Sequence, residues 1–262
     1  MKNQKTVFYE SEQTDEFSGI SRNTLQIESD FPFCNDGIFW RIAEFFVYRV
    51  LMKPVAFLWC KLKFGMRFEN RKVLKDFRDR GYFLYSNHTL MAGDAFVPNL
   101  VDTRKRTYVV VHPDNISVKG MKNFILMCGA IPLPTSMSGF RAFCEAIKRR
   151  SREGGIICIY PEAHIWPYFT GIRDFSDSSF AYPVKCDSPV FCSTVTYQKR
   201  RFTSVPRVTV YIDGPFYPDK ELGLRAAQKK LCEEVKKTMK DRAKNSTYER
   251  IRYVKKESEE NE

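Results

Sequence analysis

From residue 82 onward the chain alternates between two periods, and this alternation restricts the possible folds more than any other feature. Short runs rich in β-branched and aromatic residues are "YFLYS" (82–86), "TYVVVH" (107–112), "GAIPLP" (129–134), "GIICIY" (155–160), "PVFCSTVTY" (189–197) and "RVTVYIDG" (207–214). Between several of them lie helix-patterned segments, "GDAFVPNLV", "KGMKNFILMC" and "SGFRAFCEAIKRRSRE". Strands alternating with helices predict an α/β domain with a mostly parallel central sheet flanked by helices. A last helix is predicted from about Asp219, because Leu224, Ala227, Leu231, Val235 and Met239 recur at helical spacing opposite Lys and Glu.

Ahead of this domain the character differs. Residues 1–36 are polar with little periodicity and read as a loosely structured lead, without the apolar core of a signal peptide. Residues 37–66 are dense in aromatics and aliphatics but broken by Arg41, Glu44, Arg49, Lys53 and Pro54. A spanning helix needs about 20 largely uncharged residues, so two helices meeting near Lys53-Pro54 are expected instead. Such a pair suits a membrane interface, and equally a hairpin packed on the protein's own core. "ENRKVLKDFRDRG" reads as a further helix closed by Gly81. The α/β domain is placed at 67–245, and the charged tail 246–262 is expected to be disordered.

Charge bears on partners. A formal net charge of +12 favours polyanions, whether nucleic acid, an anionic membrane surface or a phosphorylated small molecule. The basic groups are scattered and the aromatics cluster elsewhere, so no nucleic-acid footprint is expected. Eight cysteines, none as Cys-x-x-Cys and several inside apolar runs, point to reduced thiols in a cytosolic compartment.

In an open α/β sheet, ligands gather at the carboxyl ends of strands. Two segments put reactive groups there. The first is "SNHTLMAGD", where His88 follows the strand at 82–86 and Asp94 lies close enough to fold back on it. Histidine titrates near neutrality and serves as a general base, and an aspartate on its other nitrogen fixes the tautomer. Asp94 is equally placed to cap the next helix. The second is "YPEAHIWPY", where Pro161, Glu162, Ala163 and His164 end a strand before an aromatic, proline-rich loop that looks like a pocket wall. His164 also fits a structural role, and His112 in "VHPDN" fits a turn contact. A metal site from His88, Asp94, His112, Asp114, Glu162 and His164 is chemically possible, as in a metal-dependent hydrolase, but no metal-site spacing supports it and none is expected. No Gly-x-Ser-x-Gly elbow occurs.

Together these blocks resemble the glycerolipid acyltransferase family, the type that includes lysophosphatidic acid acyltransferases. Asn87-His88 with Asp94 matches the family's His/Asp block, "MKNFILMCGAIPLP" its second, "YPEAH" its Pro-Glu-Gly-Thr-Arg block and "SPVFCSTVTY" its late apolar strand, over residues 37–215. The resemblance is greatest to a bacterial subgroup whose third block reads Tyr-Pro-Glu-Ala-His. It implies an acyltransferase of phospholipid synthesis in which His88, oriented by Asp94, takes a proton from an acceptor hydroxyl as that oxygen attacks an acyl thioester. No cofactor is implied beyond acyl-CoA or acyl carrier protein as co-substrate, with a lysolipid acceptor. It also turns the helical element at 37–66 toward the membrane, placing the protein peripherally on the cytoplasmic face of the cell membrane. Three departures stand out. Five residues separate His88 from Asp94 where the family has four, with Gly93 available to absorb the extra one. Ala163-His164-Ile165 replaces Gly-Thr-Arg, and Pro134 lies near the place of the second-block arginine. The family uses those arginines on the acceptor phosphate. The substitutes expected here are Arg141, Arg173 or Lys185, with Asn87, Glu162, Ala163 and His164 completing the substrate-binding set, unless the acceptor is not a simple lysophosphatidic acid.

Overall fold

The computed structural model describes residues 5–17, 19 and 25–256. Nine strands are present among them: β1 (Lys5–Tyr9), β2 (Arg67–Glu69), β3 (Tyr82–Ser86), β4 (Thr107–Val111), β5 (Ala130–Pro132), β6 (Ile156–Ile159), β7 (Val190–Gln198), β8 (Arg207–Phe216) and β9 (Ile251–Lys255). The helices are α1 (Ile38–Phe45), α2 (Lys53–Phe64), α3 (Val97–Val101), α4 (Lys122–Met127), α5 (Met137–Arg152), α6 (Ala181–Cys186) and α7 (Leu224–Ala243).

Seven strands form one sheet in the order β2-β8-β7-β3-β6-β4-β5. All neighbours run parallel except the β7–β8 hairpin, as the α/β reading expects. The central strands β3 and β6 are buried throughout, so they read in sequence as continuous apolar runs rather than alternating ones. Side chains of one parity, including Phe83, Tyr85, Ile157 and Ile159, pack against α5 and α7. Those of the other parity, with Val195, Tyr197 and Val210, pack on the helical element at 38–64 and on α3.

That helical element departs from the expected two-helix break. It runs on from α1 through a wider π-type turn, Phe46–Met52, into α2, with right-handed helical dihedrals at both junctions. Pro54 lacks the N–H that an α-helical turn needs, and the widened turn just before it accommodates that loss. The helix stops at Gly65, whose φ of 54° is the left-handed cap that glycine adopts at least cost. Tyr48, Met52, Ala56, Cys60 and Phe64, each four apart, form the buried stripe. The docked side also carries the polar anchors. The Tyr48 hydroxyl donates to Asn99 Oδ1 (2.8 Å) and accepts the Thr107 N–H (2.8 Å), and Arg106 pairs with Glu44 at 2.8 Å. The outer side is apolar, with Phe39 at 85 % and Leu62 at 75 % exposure.

Lys53 is buried on the docked side, donating to the Thr103 and Lys105 carbonyls, and burial pulls its pKa down to about 7. The native state therefore binds fewer protons than the unfolded chain between about pH 7 and the ordinary lysine value. Wild-type stability relative to Lys53→Met should be flat below about pH 7 and rise with pH above it, as read by thermal melts across pH 6–9.

Three further expectations are corrected. The segment "ENRKVLKDFRDRG" forms a 3-10 helix, Arg71–Phe77, that stops short of Gly81. The last helix starts at Leu224, five residues after Asp219, which instead caps a turn by accepting from Glu221 N–H and pairs with Lys230. The loose lead and the disordered tail contain β1 and β9, which pair in parallel from Lys5↔Ile251 to Tyr9↔Lys255. Each strand finds its partner at the far end of the chain, so neither end shows the local hairpin signal that marks paired strands. Residues 257–262 of the tail lie outside the described residues. All eight cysteines are unpaired.

Candidate active site

β3 ends at Ser86, next to the start of the loop that carries His88. The Asn87 amide donates to the Val195 carbonyl (3.1 Å) and accepts the Val195 N–H (2.8 Å), so it ties the loop to β7 and is buried by doing so. Both Gly93 N–H and Asp94 N–H donate to the Leu90 carbonyl at 2.8 Å, closing a turn that brings Asp94 back to the histidine. The turn passes through Ala92 at φ +60° and then Gly93, where an added Cβ would lie 2.3 Å from a Leu90 side-chain carbon.

Asp94 Oδ2 lies 2.7 Å from His88 Nδ1 and also accepts the Leu90 N–H at 3.0 Å. A carboxylate only accepts, so Nδ1 of the neutral ring carries the proton and Nε2 presents its lone pair. Asp94 is buried, whereas the His88 side chain keeps 23 % exposure. The pair thus has an oriented, open nitrogen backed by a shielded charge.

Tyr160 fixes the ring from the side. It follows β6, in register beside the end of β3, and stacks on His88 with centroids 4.5 Å apart and planes 28° apart. Its hydroxyl donates to the Asp94 carbonyl at 2.6 Å, and burial pushes its pKa well above the ordinary phenol value, keeping it a donor. Tyr160 is not among the residues expected from the sequence; its signal there is an aromatic at the end of the strand neighbouring the one that carries the histidine.

Glu162 and Arg173 form a strut beneath the loop rather than a substrate contact, which corrects their expected role. Glu162 Oε2 accepts the His88 N–H (3.1 Å) and an Arg173 Nη2 proton (3.1 Å), while Oε1 accepts the Arg173 N–H (3.1 Å). Arg173 is 0 % exposed and also donates to the carbonyls of Glu12 and His164. A guanidinium so enclosed cannot reach an acceptor phosphate. Burial raises the Glu162 pKa and lowers that of Arg173, each opposed by the partner charge.

The loop expected to wall a pocket is tied to the His88 loop through main-chain bonds. Trp166 N–H donates to the His88 carbonyl (3.1 Å) and Tyr168 N–H to the Thr89 carbonyl (2.7 Å). The chain ends hold this clamp. Trp166 is enclosed by Tyr9, Phe17, Phe169 and Tyr253, its Nε1 donates to the Asp15 carbonyl, and the Tyr253 hydroxyl donates to the Pro167 carbonyl.

Of the remaining candidates, Ala163 sits exposed in a turn at φ +62°, and His164 keeps 24 % side-chain exposure with Nδ1 3.4 Å from Glu16. Lys185 is misplaced by topology. It lies in α6, which leads into the start of β7, whereas His88 follows the end of β3, which runs parallel to β7. Lysine and imidazole therefore stand at opposite ends of the sheet. Arg141 is exposed on α5 with no hydrogen bond or ion pair among the described residues. His112 and Asp114 pair with each other at the end of β4, and among the described residues no three His, Cys, Asp or Glu side chains converge as metal ligands.

A family model described as Acyltransferase matches residues 66–196, half of the chain, spanning the His88 loop, the Tyr160 block and most of β7. Among solved structures the chain is similar to the crystal structure of the 1-acyl-sn-glycerophosphate (LPA) acyltransferase, PlsC, from Thermotoga maritima, with a TM-score of 0.54 and 15 % identity over 80 % of this chain and 95 % of that one. At that identity the likeness concerns the fold. No curated protein matches at a significant level. With half its length inside the family model, the chain belongs to the Acyltransferase family and is an acyltransferase enzyme.

Proposed function

We propose that the protein is a membrane-peripheral O-acyltransferase that moves a fatty acyl group from an acyl thioester to the hydroxyl of a glycerolipid-like acceptor in phospholipid synthesis. The observation that carries this is the His88–Asp94 pair, with Nδ1 engaged at 2.7 Å and Nε2 open, in a chain of this family. His88 Nε2 accepts the acceptor's hydroxyl proton as that oxygen attacks the thioester carbonyl. Asp94 stabilises the imidazolium that forms, and the tetrahedral intermediate collapses by expelling the thiolate of coenzyme A or acyl carrier protein, which takes the proton back from His88. No acyl-enzyme forms, so the protein's task is to hold two substrates in line.

The membrane part of the reading is supported by the helical element, whose docked side holds the polar anchors and whose outer side exposes Phe39, Ile42, Phe46, Leu58 and Leu62. An apolar surface of this extent on a basic protein fits an interface with anionic lipid. No helix of the described residues is long and apolar enough to cross a membrane. The attachment proposed here is peripheral, at the cytoplasmic face. The family's two phosphate arginines are absent from the sequence, and of the expected substitutes Arg173 is internal and Lys185 is remote.

The test is mass-spectrometric detection of acylated lipid when the protein is given a long-chain acyl-CoA and a panel of lysolipids in detergent micelles. Acylated product is expected with at least one acceptor. No product with acyl-CoA or with acyl carrier protein thioesters would overturn the proposal.

A further inference from the structure

Beside the C-terminal half of α2, a cavity of about 380 Å³ opens between α2, the edge strand β2 and α3. Its floor includes Phe57, Phe68 and Leu100, and three cations, Lys61, Arg67 and Arg71, stand around it. Glu69 is the one carboxylate in the lining, so the groove carries a net positive charge. All three cations are exposed. Among the described residues the side chains of Lys61 and Arg67 make no ion pair or hydrogen bond, while the Arg71 side chain donates to the Leu100 carbonyl and lies 3.9 Å from the Phe68 ring centroid.

Like charges gathered around an apolar floor repel one another unless an anion joins them from outside. The position of the groove says which anion. Lys61 lies one helical turn from Phe57, on a helix that exposes Phe57 at 55 %, Leu58 at 54 % and Leu62 at 75 %. The cations therefore stand where an apolar surface laid in a bilayer would meet the lipid phosphates. Basic character continues past the end of α2, where Arg200 of the β7–β8 loop donates to the Lys63 carbonyl and Phe202 is 90 % exposed. Guanidinium forks match phosphate oxygens, and the floor matches the glycerol and first acyl carbons.

We propose that this groove binds the phosphate of an anionic phospholipid of the bilayer, a contact that rests on the membrane-peripheral reading above. It gives the enzyme a fixed lipid contact to one side of its catalytic loop, separate from the acceptor being acylated.

The test is co-sedimentation of the full-length protein with vesicles of phosphatidylcholine alone or mixed with phosphatidylglycerol at constant ionic strength. The wild type is expected to prefer the anionic vesicles, and Lys61→Gln/Arg67→Gln to reduce that preference by roughly 30-fold, at about 1 kcal/mol per cation. Both residues are exposed, so folding should be unaffected. Lys237→Gln/Lys240→Gln removes the same charge from α7, on the opposite face of the sheet, and should change the preference by less than about 3-fold. Equal effects from the two double variants, or no effect from the first, would overturn the groove assignment. So would an unchanged vesicle preference with a raised KM for acyl-CoA, which would give the groove to the donor. Dihexanoyl phosphatidylglycerol should compete with vesicles and inorganic phosphate should not; the reverse would also overturn it. Phe39→Glu/Leu62→Glu should abolish binding to both vesicle types. Wild type binding both types equally would sink the groove alone, whereas wild type binding neither would sink the membrane reading and the groove with it.

Discussion

His88→Ala should lower kcat/KM for acyl transfer by about 10²–10⁴-fold, the usual worth of a positioned general base. That is about 2.7–5.5 kcal/mol of transition-state stabilisation. The substitution leaves the main-chain bonds of the loop in place, because Glu162 binds the residue 88 N–H and Trp166 N–H binds its carbonyl. Folding should therefore be retained, and circular dichroism and melting would verify it. Asp94→Asn gives a sharper test of the mechanism. An amide that donates to Nδ1 moves the ring proton to Nε2, the wrong tautomer for a base, and the loss should approach that of His88→Ala. A His88→Ala enzyme within two-fold of wild type would remove His88 from the chemistry.

Arg173→Met should cost about 3–5 kcal/mol of stability in urea unfolding, because it leaves the Glu162 carboxylate buried without its cation. Both side chains have 0 % exposure, so solvent cannot compensate. Arg173→Met/Glu162→Gln should be less destabilised than Arg173→Met alone, since it removes the uncompensated buried charge, although the single amide oxygen can accept only one of the two backbone N–H groups that the two Glu162 oxygens now hold. Activity should fall with the single variant too, because Glu162 positions the His88 N–H. If Arg173→Met kept full stability and raised only the KM for the acceptor, Arg173 would be a substrate residue after all.

The contrast between His88 and Arg173 explains which parts of the site can be read from a sequence. His88 and Asp94 are recognisable because the strand that precedes them is buried on both faces and so announces itself as an apolar run, and a titratable residue just past its end falls where ligands collect. Glu162 is placed correctly by the same rule, but its direction is not: a strand end can point a carboxylate into a cleft or under a loop with equal ease. Arg173 and Lys185 stand out in the sequence by charge alone, and charge carries no information about depth or about which end of a strand a helix feeds. The clamp on the His88 loop was the least accessible feature, since it depends on β1 and β9 meeting from opposite ends of the chain.

Local chemistry in the chain is sufficient for the α/β class, for the meeting of His88 with Asp94 and for an apolar, basic-flanked segment ahead of the domain. These follow from periodicity and from residue types within a few positions of one another. The continuous helix through Pro54, the buried Glu162–Arg173 strut, the stacking of Tyr160 on His88 and the docking of both chain ends against Trp166 arise only on folding. Each joins groups whose proximity depends on strand order and on burial, which are properties of the packed molecule rather than of any stretch of residues.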